Sequence, residues 1–200
     1  MSKVQNNKET LSTIDQNLLP NIVIIGLTGC GKTTVGREVA QLMRMGFLDL
    51  DQLIEKEVKL SISDFVKKYG IDSFRRVESD KLEQLLSVKN HVISLGGGAL
   101  LDKKNRSRIH KLGVLVWLDI SIEHIVKRLL KNEMSIVSRP LLSDLSKKLR
   151  LSTMTQDLEK KLNDLMLERR EFYEKAEVFV NGDYLTPNDC ARRIQSLLKV

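Results

Sequence analysis

Apolar residues follow two rhythms along this chain of 200 residues. Short aliphatic and β-branched runs recur at 21–26, 46–50, 91–95 and 113–118, with a weaker one at 177–180. A continuous apolar run of this kind suits a strand buried on both faces of a parallel sheet. Between the runs, apolar positions recur at steps of three and four, the spacing that collects one face of a helix. These helical patterns cover 33–44, 61–69, 71–88, 102–111, 121–131, 155–174 and 187–198. Strands alternating with helices predict an α/β fold built on a parallel sheet.

Two segments stand outside the alternation. The first 19 residues are polar, include Glu9 and Asp15, and lack the apolar stretch of a signal peptide. They are expected to form a flexible arm, leaving 20–200 as a single domain. The segment from about 131 to 156 is irregular and rich in Ser, Lys, Arg and Leu. A long, polar, interrupted stretch in a compact domain is a candidate lid, with a plain surface insertion as the alternative. No internal repeat or low-complexity linker is present.

Composition narrows the class. Apolar residues make up 42% and charged residues 30%, ordinary for a soluble globular chain, while aromatics reach only 4%. The core must therefore be mostly Leu, Ile and Val. A net charge of +7 favours acidic partners, among them nucleotides and small carboxylates. The basic residues are dispersed, which speaks for solvated surface and against nucleic acid. Cys30 and Cys190 form no CxxC pair, so neither a disulfide framework nor a zinc site is indicated. No apolar run reaches the roughly 18 residues of a membrane span. The expectation is a cytoplasmic monomer with no membrane partner.

The chemistry centres on Gly26-Leu27-Thr28-Gly29-Cys30-Gly31-Lys32-Thr33-Thr34, which fits the phosphate-binding pattern G-x-x-x-x-G-K-S/T. A strand pattern precedes it and a helical pattern follows, the context this motif needs. Glycines let the backbone wrap a phosphate, and successive N–H groups and the positive end of a helix face the anion. Lys32 can reach the β- and γ-phosphates as a point charge. The Thr33 hydroxyl can join a Mg²⁺ shell.

Other groups suit phosphoryl transfer. On a strand, Asp49 and Asp51 share a face at the C-terminal end, where open α/β sheets hold ligands. One carboxylate can serve Mg²⁺ and the other a substrate hydroxyl or its proton, the alternative for Asp51 being a cap on a helix beginning near Gln52. Arg75 and Glu78 interrupt the apolar stripe Ile71, Leu82, Leu85. Glu78 can hold Arg75 and leave its guanidinium fork for a planar carboxylate, or the two can form a structural ion pair only. Gly96-Gly97-Gly98 ends a strand, allowing close approach of a ligand or merely a wide turn. Arg139 precedes Pro140 in the candidate lid, where it is pushed to an extended conformation and can close over a phosphoryl group. Arg169 falls on the stripe of Leu158, Leu162, Leu165 and Phe172, aimed inward unless its stem snorkels to the surface. His91, His110 and His124 show no ligand or triad spacing.

Together the segments G-L-T-G-C-G-K-T-T, F-L-D-L-D-Q-L-I-E, F-R-R-V-E, L-G-G-G-A, S-R-P-L-L and the R-x-x-x-Y of Arg169 to Tyr173 resemble shikimate kinase. The resemblance runs from about Asn21 to Gly182. It implies the three-layer P-loop kinase fold: a five-stranded parallel sheet flanked by helices, with a nucleotide lid and a substrate region that closes. It implies transfer of the γ-phosphoryl of ATP to the 3-hydroxyl of shikimate, with Mg²⁺, on the way to chorismate and the aromatic amino acids. By this resemblance Gly29, Cys30, Gly31, Lys32, Thr33 and Thr34 bind ATP, with Arg128 near the adenine and Arg139 from the lid. Thr33 and Asp49 match the metal side, and Lys32, Asp51 and Arg139 the catalytic set. Arg75 and Arg169 match the pair gripping the shikimate carboxylate, with Gly97 and Gly98 beside the substrate. The chain departs from the family at Glu171, where proline is usual, in its longer 131–156 segment, and in lacking a late arginine near 184–186. The alternatives are another small P-loop kinase, for gluconate or a nucleotide, a non-catalytic nucleotide-binding relative, and an NTPase that binds nucleic acid.

Overall fold

The computed structural model describes residues 20–131, 142 and 151–198, with the side chains of 151–153 left aside. Its strands are β1 (Asn21–Ile25), β2 (Gly46–Asp49), β3 (His91–Ser94), β4 (Gly113–Asp119) and β5 (Val178–Asn181). They form one sheet in the order β2-β3-β1-β4-β5, every neighbouring pair parallel. The expected five-stranded parallel sheet is thus observed. β1, at its centre, is buried along its whole length, which is why its sequence reads as an uninterrupted apolar run.

The helices are α1 (Lys32–Met43), α2 (Leu50–Val58), α3 (Ile62–Tyr69), α4 (Ile71–Leu85), α5 (Lys103–Leu112), α6 (Ile122–Leu130), α7 (Leu151–Tyr173) and α8 (Pro187–Leu198). From β1 the chain crosses to β2 on one side, and from β3 it crosses back over β1 to β4 on the other. Parallel crossovers are right-handed, so α1 and α5 cover opposite faces of the sheet and the molecule has three layers. The loops after β1 and β3 therefore diverge to opposite faces. A crevice opens between them at the C-terminal ends of the strands.

Opposite the crevice, at the start of β1, the buried Asn21 ties the central strands. Its amide donates to the carbonyls of Val88 and Leu112 at 2.7 and 2.9 Å and accepts from the His91 N–H at 2.9 Å. Three backbone groups at or just before the strand starts are satisfied by one side chain, which holds the sheet in register.

Several boundaries differ from the sequence reading. β2 ends at Asp49, and α2, expected only as a helix beginning near Gln52, begins at Leu50. Only Leu50 and Ile54 of α2 are buried, too few to mark a period in nine residues. α4 ends at Leu85 rather than 88, and Ile71, expected inward, is 41% exposed. α7 begins at Leu151, inside the segment expected to be a lid. The rest of that segment apart from Lys131 and Leu142, including Arg139, lies outside the described residues, as does the 1–19 arm. No described helix is long and apolar enough to cross a membrane.

Candidate active site

The loop from β1 into α1 turns on glycines. Gly26 has φ 147°, and a Cβ there would stand 2.5 Å from the Leu118 carbonyl oxygen, so no larger residue fits. Gly31 precedes α1 in the left-handed region, with no side chain capping the helix. The first-turn N–H groups are thus left for an anion. Lys32 is buried, and its ammonium donates to the carbonyls of Gly26 and Leu27 at 3.0 Å each. Its charge is folded back onto the loop that a phosphate would fill.

Thr33 donates from Oγ1 to Oδ2 of Asp49 at 2.6 Å, while Asp49 Oδ1 accepts from the Gln52 N–H at 3.2 Å. Asp49, not Asp51, is therefore the N-cap of α2. The two aspartates do not share a strand face, because the strand ends between them. Asp51 sits in the first turn of α2, and its carboxylate is turned toward the glycine turn after β3. A Cβ on Gly96 would lie 2.7 Å from Asp51 Oδ1. Burial pushes the Asp51 carboxyl up from 3.8 to about 6, with the Asp49 charge adding to the rise and Lys32 opposing it.

Arg75 and Glu78 of α4 pair across one turn, with Nη1 donating to Oε2 at 2.7 Å. Glu78 is only 1% exposed; burial raises its pKa, against the opposing Arg75 charge. The other edge of the Arg75 guanidinium lies against Gly98, where a Cβ would overlap it. Arg169 of α7 is 1% exposed. Its Nε and Nη1 have no hydrogen-bond partner among the described residues, and Glu168 comes no nearer than 3.9 Å. A Cβ on Gly97 would lie 3.0 Å from Arg169 Nη1. A buried cation with idle donors is costly, so this geometry calls for an anion. Arg170, the neighbour that sequence spacing turned outward, is exposed and pairs with Glu174.

These groups border two cavities. The larger, about 520 Å³, is lined by Gly29 to Thr34 and by Arg128. The smaller, about 370 Å³, is lined by Arg75, Glu78, the glycine turn and Arg169. Both are bordered by Thr28, Thr33, Asp49, Asp51 and Gly97, so they meet at the aspartates. Arg128 donates to the Cys30 carbonyl at 3.1 Å and so braces the phosphate loop. Beyond it the larger cavity is walled by Ile120, Leu185, Pro187 and Cys190. Sequence reasoning looked for an arginine near 184–186 and passed over this apolar wall. It also passed over Ile62, Val66 and Glu55, which border the smaller cavity. Apolar residues on different helices leave no joint signal in sequence. No three His, Cys, Asp or Glu side chains among the described residues gather as a metal cluster.

The family model described as shikimate kinase matches residues 28–199. The chain is 35% identical over 176 residues to a shikimate kinase of Thermoanaerobacter pseudethanolicus, covering 88% of this chain and 94% of that one. It is 37% identical over 175 residues to a shikimate kinase of Nostoc punctiforme, covering 87% and 88%. A structure of shikimate kinase from Acinetobacter baumannii in complex with shikimate superposes with a TM-score of 0.79 at 32% identity, covering 92% and 95%.

Proposed function

The chain belongs to the shikimate kinase family, and from that premise we propose that it transfers the γ-phosphoryl group of ATP to the 3-hydroxyl of shikimate, giving 3-phosphoshikimate and ADP. One observation carries the reading at residue level: a phosphate cradle and a pocket with a buried, unsatisfied guanidinium meet at a carboxylate whose pKa is raised to about 6.

The nucleotide occupies the larger cavity. Its phosphates take the N–H groups of the 26–34 loop, and the Lys32 ammonium exchanges two carbonyls for phosphate oxygens. The apolar wall of Ile120, Leu185 and Pro187 takes the base, with Arg128 at its edge. Thr33 Oγ1 and the Asp49 carboxylate are hard oxygen donors 2.6 Å apart beside the cradle, a set that fits Mg²⁺, and these two residues would hold it. Bound there, Mg²⁺ would neutralise developing phosphate charge. The role at the phosphates that the resemblance gives Arg139 falls outside the described residues.

The acid occupies the smaller cavity. Arg169 and Arg75 grip its carboxylate, and Glu78 holds Arg75 in place from behind. Gripping the carboxylate at one end aims a ring hydroxyl at Asp51, where the cavities join. Asp51 orients that hydroxyl and accepts its proton as the oxygen attacks the γ-phosphorus, a role suited to a carboxyl poised near 6. Positioning and electrostatics carry the rest.

Measuring ADP release with shikimate, gluconate and nucleoside monophosphates in parallel tests the proposal. Turnover with shikimate alone is expected. ADP release that ignores shikimate, or that prefers another acceptor, would overturn it.

A further inference from the structure

Tyr173 ends α7 one turn after Arg169 and is buried to the same degree, 1% exposed. Its hydroxyl donates to the Gly97 carbonyl at 2.9 Å. Gly97 is the residue whose missing side chain leaves room for Arg169 Nη1. The phenol hydroxyl and the Arg169 guanidinium thus both stand at Gly97. Burial pushes the phenol well above its usual pKa, against the pull of Arg169, so it stays protonated and remains a donor. Behind the ring stands Trp117 of β4, with centroids 5.8 Å apart, which fixes its rotamer from the sheet side.

We propose that Tyr173 is a positioning residue: its hydroxyl ties the glycine turn after β3 to the helix carrying Arg169, and so sets the guanidinium at the spacing that recognises a substrate carboxylate. It need not touch the substrate. A carboxylate grip works only if two donors face two oxygens, and Arg169 reaches the cavity from a helix whose sequence neighbours lie far from the glycine turn. Among the described residues, Tyr173 hydrogen-bonds that helix to the turn, through its hydroxyl on the Gly97 carbonyl. This rests on the assignment of the acid to Arg169.

Tyr173→Phe removes one oxygen and keeps the ring. Steady-state kinetics of the wild type, this variant and Trp117→Phe decide the matter. The wild type must turn over shikimate, and failure there counts against the function rather than against Tyr173. For Tyr173→Phe, the KM for shikimate is expected to rise about fivefold, the size of one lost buried hydrogen bond, with kcat and the KM for ATP within about twofold. Trp117→Phe loosens the packing but leaves the hydroxyl, so it is expected to lower Tm with both KM values nearly unchanged. Since Trp117 is the only tryptophan in the chain, its emission gives an independent shikimate titration of the wild type and Tyr173→Phe. Equal losses in both KM values, an unchanged KM for shikimate, or a Tyr173→Phe chain unfolded at 25 °C would each overturn the role. The last would show that the hydroxyl carries the fold rather than the grip.

Discussion

Asp51 shows how position outweighs residue type. Its neighbour in sequence pattern, Asp49, bonds to Thr33 and to the Gln52 amide, while Asp51 faces buried backbone and other acids. An acceptor of the shikimate proton must be ionised, so kcat/KM for shikimate should rise as pH passes about 6 in the free enzyme. Asp51→Asn should lower kcat about 10²-fold or more, and near-normal turnover would remove Asp51 from the chemistry. The same residue costs stability. Its folded pKa lies above the unfolded value, so below pH 3.8 it is neutral in both states and carries no cost. As pH rises from 3.8 to about 6 the unfolded chain ionises first, so stability falls across that window and is level above it. Asp51→Asn should therefore melt about 8 °C higher than the wild type at pH 8, reflecting a cost of about 3 kcal/mol, and within about 2 °C of it at pH 4. Melting curves at the two pH values check this. Arg75→Lys, which loses the planar fork, should raise the KM for shikimate and scarcely alter that for ATP.

At the level of elements, the glycine turn after β3 acts as a wall with no side chains. Asp51, Arg169 and Arg75 approach Gly96, Gly97 and Gly98 in that order. A methyl group at any of the three therefore addresses one functional group. Gly98→Ala should displace the Arg75 guanidinium, which can swing aside, and so weaken shikimate binding with little change in Tm. A KM for shikimate equal to the wild type would show that Arg75 does not need that position. The loop between β1 and α1 is less forgiving. At Gly26 the obstacle is the Leu118 backbone, so Gly26→Ala should destabilise the fold itself, by several kcal/mol, rather than one substrate. Thermal unfolding of the ligand-free protein separates the two cases.

The whole molecule places two cavities at the C-terminal edge of one sheet, with the aspartates where they meet. A nucleotide that binds only the folded cradle should raise Tm, by roughly 2.7 kcal/mol of stabilisation at a hundredfold excess over its Kd. The chain's own order of residues was enough to read the strand-and-helix alternation, the phosphate loop, and the inward aim of Arg169 among leucines. These are local: a period or a motif needs only its neighbours in sequence, and buried strands and amphipathic helices write their surroundings into that period. What the chain's order left open was set by contacts between distant segments. Asp49 rather than Asp51 caps α2 because the strand stops one residue sooner than its apolar run. The nucleotide wall of Leu185, Pro187 and Cys190 exists because the turn after β5 comes back beside the phosphate loop. The Tyr173 hydroxyl finds the Gly97 carbonyl 76 positions away. Such pairings carry no sequence period, since a sheet and its crossovers bring together groups that only closure of the whole fold makes neighbours.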